Sequence, residues 1–183
     1  MVRMQKKTTI LEAAERLFYR NGFHATSTDR ICSEANVSTR TLYRYFPSRE
    51  DLTAAVMAHR QSRFFATLYT SQHPQAISRL FDVLEEWMRE YDPLGCFFLK
   101  AWGEYAEEEV KLSALALDYR YALRGYIAAC IGHSHGVGHE ALADAVWMLS
   151  EGAITSALLI GPDAARHAGL AAARLMAGCE EGR

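Results

Sequence analysis

Apolar positions recur at spacings of three and four along most of the chain, and no stretch of useful length alternates apolar with polar. That pattern predicts an all-α protein of about nine helices. In the first helix, TTILEAAERLFYRN, the side chains of Ile10, Ala13, Ala14, Leu17 and Phe18 share one face. Thr9 and Glu12 form a capping box, with an earlier start of the helix left open, and Gly22 supplies the left-handed position that ends the helix. Thr26 or Ser27 caps a short second helix holding Ile31 and Ala35, and Asn36, which tolerates positive φ, makes a tight turn. Ser38 then caps a short third helix, TRTLYRYF, which Pro47 ends, and Ser48 with Asp51 caps a long fourth, REDLTAAVMAHRQSRFFATLY. Further helices are predicted over 74–91, 95–106, 108–131, 140–160 and 163–177, and Pro47, Pro74, Pro93 and Pro162 all fall near a break.

Two short helices joined by a tight turn and packed on a first helix form a unit that can read DNA. Ile31, Ala35, Val37 and Leu42 lock the pair at a fixed angle, which leaves Thr39, Arg40, Thr41, Tyr43 and Arg44 projecting outward. A polar, solvent-facing first turn can enter the major groove, and its positive dipole end favours phosphate. Thr39, Arg40, Thr41 and Arg44 are therefore placed on base edges or their immediate surroundings. Arg40 could pair with a guanine through two atoms, a contact that discriminates by about 1–3 kcal/mol.

Charge sharpens this picture. Residues 1–63 carry 11 Lys+Arg against 6 Asp+Glu, and residues 64–183 carry 9 against 16. A basic head on an acidic body suggests that the head meets a polyanion. The expected division is a DNA-binding domain over 1–48 and a larger helical domain over 49–183. The cysteines Cys32, Cys96, Cys130 and Cys179 form no CxxC pair and read as small hydrophobes. HSHGVGH (His133, His135, His139) reads as a loop between helices, with no carboxylate or cysteine spacing to complete a metal set, so neither metal nor cofactor is expected. Glu107, Glu108 and Glu109 read as a solvated helix start. No apolar run reaches the roughly 18–20 residues of a membrane span, and the N-terminus lacks the apolar segment of a secretory signal. A cytoplasmic protein without membrane contact is expected.

The stretch ILEAAERLFYRNGFHATSTDRICSEANVSTRTLYRYFPSREDL resembles the DNA-binding head of the TetR family of transcriptional regulators, with VSTRTLYRYFPSRE as its most specific core. Asn36 and Arg40 stand where glycine is common in that family, and Arg49 where lysine is usual. Arg40 adds a cation to the reading helix, so operator preference does not carry over. Together with their chemistry, the resemblance implies phosphate contacts from Thr26, Ser27, Tyr43, Tyr45 and Arg49. Ser38, at the start of the reading helix, is counted with the DNA-contacting residues.

The remainder resembles the family's regulatory domain more loosely, through DPLGCFFLKAWGEY and EGAITSALLIGPDAARHAGLAAARL. The resemblance implies a ligand-binding and dimerisation domain. Trp87, Tyr91, Phe98, Trp102, Tyr119, Tyr126 and Trp147 are candidates to line an apolar cavity between helices. Few ionisable groups can face inward, so an apolar or aromatic effector is expected. The last two helices carry Ser150, Gly152, Ala153, Ser156 and Ala157, then Ala164, Ala165, Ala168, Gly169, Ala171, Ala172 and Ala173. Such residues permit close helix approach, and across a two-fold axis they would form a four-helix homodimer seam. The expected function is a ligand-responsive regulator, a repressor released from a palindromic operator. The alternatives are a helical-bundle enzyme, for which no acid–base constellation can be assembled, and a DNA-binding protein without an effector.

Overall fold

The computed structural model describes residues 2–107 and 109–180; Glu108, within the acidic triplet, lies outside them. Among the described residues there are nine α-helices and no strand: α1 Val2–Asn21, α2 Thr28–Glu34, α3 Thr39–Tyr45, α4 Arg49–Ala66, α5 Ala76–Glu90, α6 Phe97–Tyr105, α7 Val110–His135, α8 Glu140–Ile160 and α9 Asp163–Glu180. The chain forms two units: residues up to Arg63 together with Phe97–Tyr119, and Phe64–Cys96 together with the chain from Arg120 onward.

In the first unit, the predicted face of α1 (Ile10, Ala13, Ala14, Leu17, Phe18) is buried with Phe23, Ile31, Leu42, Leu52 and Val56. Phe23 anchors an aromatic cluster, with ring centroids 4.8 Å from Phe18, 5.1 Å from Phe97 and 5.6 Å from Tyr105. Gly22 ends α1 at φ 92°, and its N–H bonds to Phe18 O. Asn36 turns the chain at φ 50°, as its residue type allows. Ser48 caps α4 reciprocally, accepting from Asp51 N–H at 2.9 Å and donating to Asp51 Oδ2 at 2.8 Å. Glu15, only 3% exposed, lies on α1 among apolar residues and bonds Arg60 and Arg63 of α4 at 2.6 and 3.1 Å. A buried carboxylate is tolerated there because two guanidiniums neutralise it.

The second unit holds α5, the C-terminal part of α7, α8 and α9. Close approach is visible at Gly169, where a Cβ would lie 2.9 Å from Phe81 Cβ on α5. Ser150, Ala153 and Ala157 of α8, and Ala164, Ala165, Ala168 and Ala172 of α9, are buried within the protomer itself. This corrects part of the sequence expectation: those seven small residues are taken up within one chain, whereas Gly152, Ser156 and Ala173 of the same run stay exposed. The outward side of α8 and α9 instead carries large apolar side chains, namely Met148, Leu158, Leu159, Ile160, Leu170 and Leu175.

Several boundaries differ from the periodicity. α1 starts at Val2, so Thr9 lies inside the helix and its hydroxyl donates to Gln5 O at 2.9 Å instead of capping the start. α4 stops at Ala66 rather than at Tyr69, and Thr67 Oγ1 donates to Phe64 O at 2.6 Å just beyond it. α7 continues through His133 and His135, so the loop is confined to 136–139, with Gly136 and Gly138 at positive φ. The extra turn is held by Ser134 Oγ, which donates to Cys130 O, and by buried His135, whose Nε2 lies 3.2 Å from Met176 O. α8, at 21 residues, has the length and apolar composition of a membrane span. It also carries Asp144 and Glu151, paired with Arg124 (2.7 and 2.9 Å) and Arg120 (2.6 Å). Burial of two ion pairs in lipid would be costly.

Gly169→Ala should force Phe81 and α9 apart and lower stability by about 1–3 kcal/mol, the usual cost of overpacking. Urea denaturation checks this; an unchanged midpoint would show that the contact between α5 and α9 relaxes freely.

Candidate nucleic-acid interface

Helix α3 is short and defined at both ends. Ser38, in extended conformation, accepts the Thr41 N–H through its hydroxyl, and buried Phe46 ends the helix with its own N–H on Leu42 O. Buried Leu42 fixes the helix to the unit's core, so Thr39, Arg40, Tyr43 and Arg44 all point to solvent. Thr41 is half-buried, and its hydroxyl lies 3.0 Å from that of Ser38. The Arg44 guanidinium sits 5.4 Å from the ring of half-buried Tyr45. Ser27 is exposed at the start of α2, where it accepts the Arg30 N–H.

Two of the expected phosphate contacts take internal positions. Thr26 is buried, and its hydroxyl donates to Gly22 O at 2.7 Å. Arg49 turns into the unit, lying 4.5 Å from the Phe18 ring and donating through Nη2 to Phe23 O and Thr26 O, each at 2.8 Å. Burial lowers its pKa, and neighbouring Tyr105 partly offsets the shift. Burial likewise raises the Tyr105 phenol above its ordinary value.

Two residues that sequence reasoning passed over complete this turn. Glu104 of α6 accepts the backbone N–H groups of Phe23 (2.8 Å) and His24 (2.7 Å). Lys100, one turn earlier on α6, donates to Tyr19 O at 3.0 Å near the end of α1, and burial lowers its pKa. Both contacts span about eighty residues of sequence, and no local signal announces them.

The distribution of cations follows from these pairings. Arg16 bonds Glu34 at 3.2 Å, and Arg60 and Arg63 are held by Glu15. Arg30, Arg40 and Arg44 stay exposed on α2 and α3, in no ion pair among the described residues. Positive charge is thus concentrated beside the exposed polar turn of α3.

The candidate ligand-contacting residues are divided between the units. In the first, Phe98 and Tyr119 are buried and stacked, with centroids 3.8 Å apart and planes at 10°, whereas Trp102 is 42% exposed. In the second, Trp87 packs edge-on to Phe64 at 5.4 Å and lies 5.2 Å from Tyr91, and Tyr126 donates its hydroxyl to Tyr69 O at 2.9 Å. Trp147 lies about 6.0 Å from the guanidiniums of Arg120 and Arg124, and its buried Nε1–H has no acceptor. Among the described residues no group of three potential metal ligands occurs; His135 and His139 are near each other, at 5.7 Å between centroids.

Residues 10–56 match the sequence pattern of the family described as bacterial regulatory proteins, tetR family. The HTH-type transcriptional regulator UidR of Escherichia coli K12 is 42% identical over 60 residues, which cover 33% of this chain and 31% of that protein. The HTH-type transcriptional regulator LuxR of Vibrio harveyi is 30% identical over 105 residues, covering 56% of this chain and 51% of that one. The aligned region thus spans about a third of UidR and half of LuxR. A solved TetR-family transcriptional regulator from Streptomyces coelicolor superposes with a TM-score of 0.85 at 21% identity, over 96% of both chains. A TetR transcription regulator from Haloarcula marismortui gives 0.74 at 22%, over 96% of this chain and 98% of the other. The likeness in fold extends over nearly the whole chain, while the likeness in sequence is concentrated in the three helices and turn that surround α3. The head over residues 10–56 thus carries the pattern described as bacterial regulatory proteins, tetR family, and the chain as a whole has the fold of solved TetR-family regulators.

Proposed function

We infer that this chain is a ligand-responsive transcriptional regulator, a repressor that leaves a palindromic operator when a small apolar or aromatic effector binds. The observation that carries this is the isolation of α3: capped, anchored by Leu42, and exposing Thr39, Arg40, Tyr43 and Arg44 to solvent. Ser27, Ser38, Thr41 and Tyr45 border this surface, whereas Thr26 and Arg49 act by holding the turn beneath it. The head is assigned to residues 1–48 and the regulatory and dimerisation domain to 49–183.

The exposed apolar side chains of α8 and α9 support a homodimer through these helices, because a monomer would leave this surface in water. A two-fold pair of heads reads half-sites about 34–36 Å apart or a multiple of that. Trp87, Tyr91, Phe98, Tyr119, Tyr126 and Trp147 are the effector-contacting candidates; Trp102 is left out because its ring is exposed. Glu104 and Lys100 give α6 a direct grip on the end of α1, so a shift of α6 would carry the head with it. Such a protein works in the cytoplasm, without a membrane and without catalysis.

Three measurements test this reading. Tyr43→Phe should weaken binding to operator and random duplexes alike, by about fivefold (~1 kcal/mol), whereas Arg40→Ala should relax preference at particular bases. Equal losses on both duplexes for Arg40→Ala would demote it to a phosphate contact. Leu159, at 88% exposed, offers the clearest test of the seam. Light scattering on Leu159→Arg should give the 20.5 kDa mass of one chain in place of twice that, and an intact dimer would move the interface elsewhere. Tryptophan fluorescence can screen apolar compounds, and a true effector must weaken operator binding by the same factor as operator weakens its own, typically about 5–150-fold. A compound that binds without altering operator affinity, from a library that yields no other, would favour DNA binding without effector control.

A further inference from the structure

α1 runs well beyond what the core requires. Among the side chains described, the first fully buried one is Ile10, and Gln5, Lys6, Lys7 and Thr9, all within α1, are exposed. A short exposed overhang gains little from packing and is marginal by propensity alone. Its composition is one-sided, with no acidic residue in the first turn and Glu12 as the first carboxylate of the chain. Lys6 and Lys7 form no ion pair among the described residues. The overhang also has a definite address: Lys7 Nζ lies 5.8 Å from the ring centroid of Phe46, the residue that ends the reading helix. Lys7 therefore borders the C-terminal end of α3, with Lys6 beside it in sequence on the same exposed turn.

We propose that Lys6 and Lys7 form a second, sequence-independent DNA contact, in which their ammonium groups bind phosphates flanking the bases read by α3. This rests on the reading of the head as a DNA binder and extends its footprint outward along the duplex backbone. The occupant is the phosphate chain of double-stranded DNA. The charge is complementary, and Arg40 and Arg44 of the same unit are exposed cations as well. Phosphate contacts of this kind set affinity and position and carry no base information. The two lysines should therefore add equally to operator and non-operator binding.

The test is the salt dependence of binding to a random-sequence 30-base-pair duplex, read by fluorescence anisotropy with the full chain. Each phosphate contact removed lowers the slope of log K against log salt by about 0.9. Lys6→Gln with Lys7→Gln should therefore reduce the slope by roughly two, and Lys6→Gln alone by about one. The Lys6→Arg/Lys7→Arg protein should keep the parental slope, which separates loss of charge from loss of the Phe46 contact. An unchanged slope in the glutamine double variant, with parental protein that binds, overturns the proposal. A parental protein with no affinity for any duplex overturns the reading of the head instead. Loss of binding that the arginine variant does not restore would assign Lys7 a packing role against Phe46 and also defeat the proposal.

Discussion

The head depends on how a six-residue turn, from Gly22 to Ser27, satisfies its backbone. Glu104 takes the N–H groups of Phe23 and His24, while Arg49 takes the carbonyls of Phe23 and Thr26. The Thr26 hydroxyl closes the turn on Gly22 O. An anionic and a cationic side chain thus grip opposite polarities of the same few peptide groups. Charge-assisted bonds of this kind contribute about 1.5–3 kcal/mol each. They come from α4 and α6, so the start of α2 is tied to elements far away in sequence, and through Ile31 and Leu42 the seat of α3 is tied to them as well.

What was legible in the sequence was what is local. Caps, breaks and core faces follow from a few adjacent residues: Ser38 before α3, Gly22 and Asn36 at positive φ, and the Ile10 to Phe18 face all stand where side-chain chemistry places them. The direction of a long polar side chain is not local. Arg49 has the residue type expected at a phosphate, yet the carbonyls of a turn more than twenty residues earlier offer its guanidinium partners within the unit. Glu104, Lys100 and Glu15 escaped for the same reason, since each acquires meaning only from partners that folding delivers.

Small residues pose a related ambiguity. A run of alanines and glycines states that something approaches closely, without saying whether it belongs to the same chain. Gly169 against Phe81 shows that much of the run in α8 and α9 serves its own protomer. The surface left over is made of leucine, isoleucine and methionine, which bury more area per residue and suit an interface better. Glu151 and Asp144, paired with arginines of α7, anchor α8 to that helix.

The division of labour within α3 has an evolutionary consequence. Ser38, Leu42 and Phe46 hold the helix, while Thr39, Arg40, Tyr43 and Arg44 face water. Exchanges at such exposed positions usually alter stability by no more than about 0.5 kcal/mol. Mutation can therefore sample new side chains on this surface without passing through unfolded ancestors. After a gene duplication, two copies of this chain could diverge to separate target sites while keeping the same scaffold.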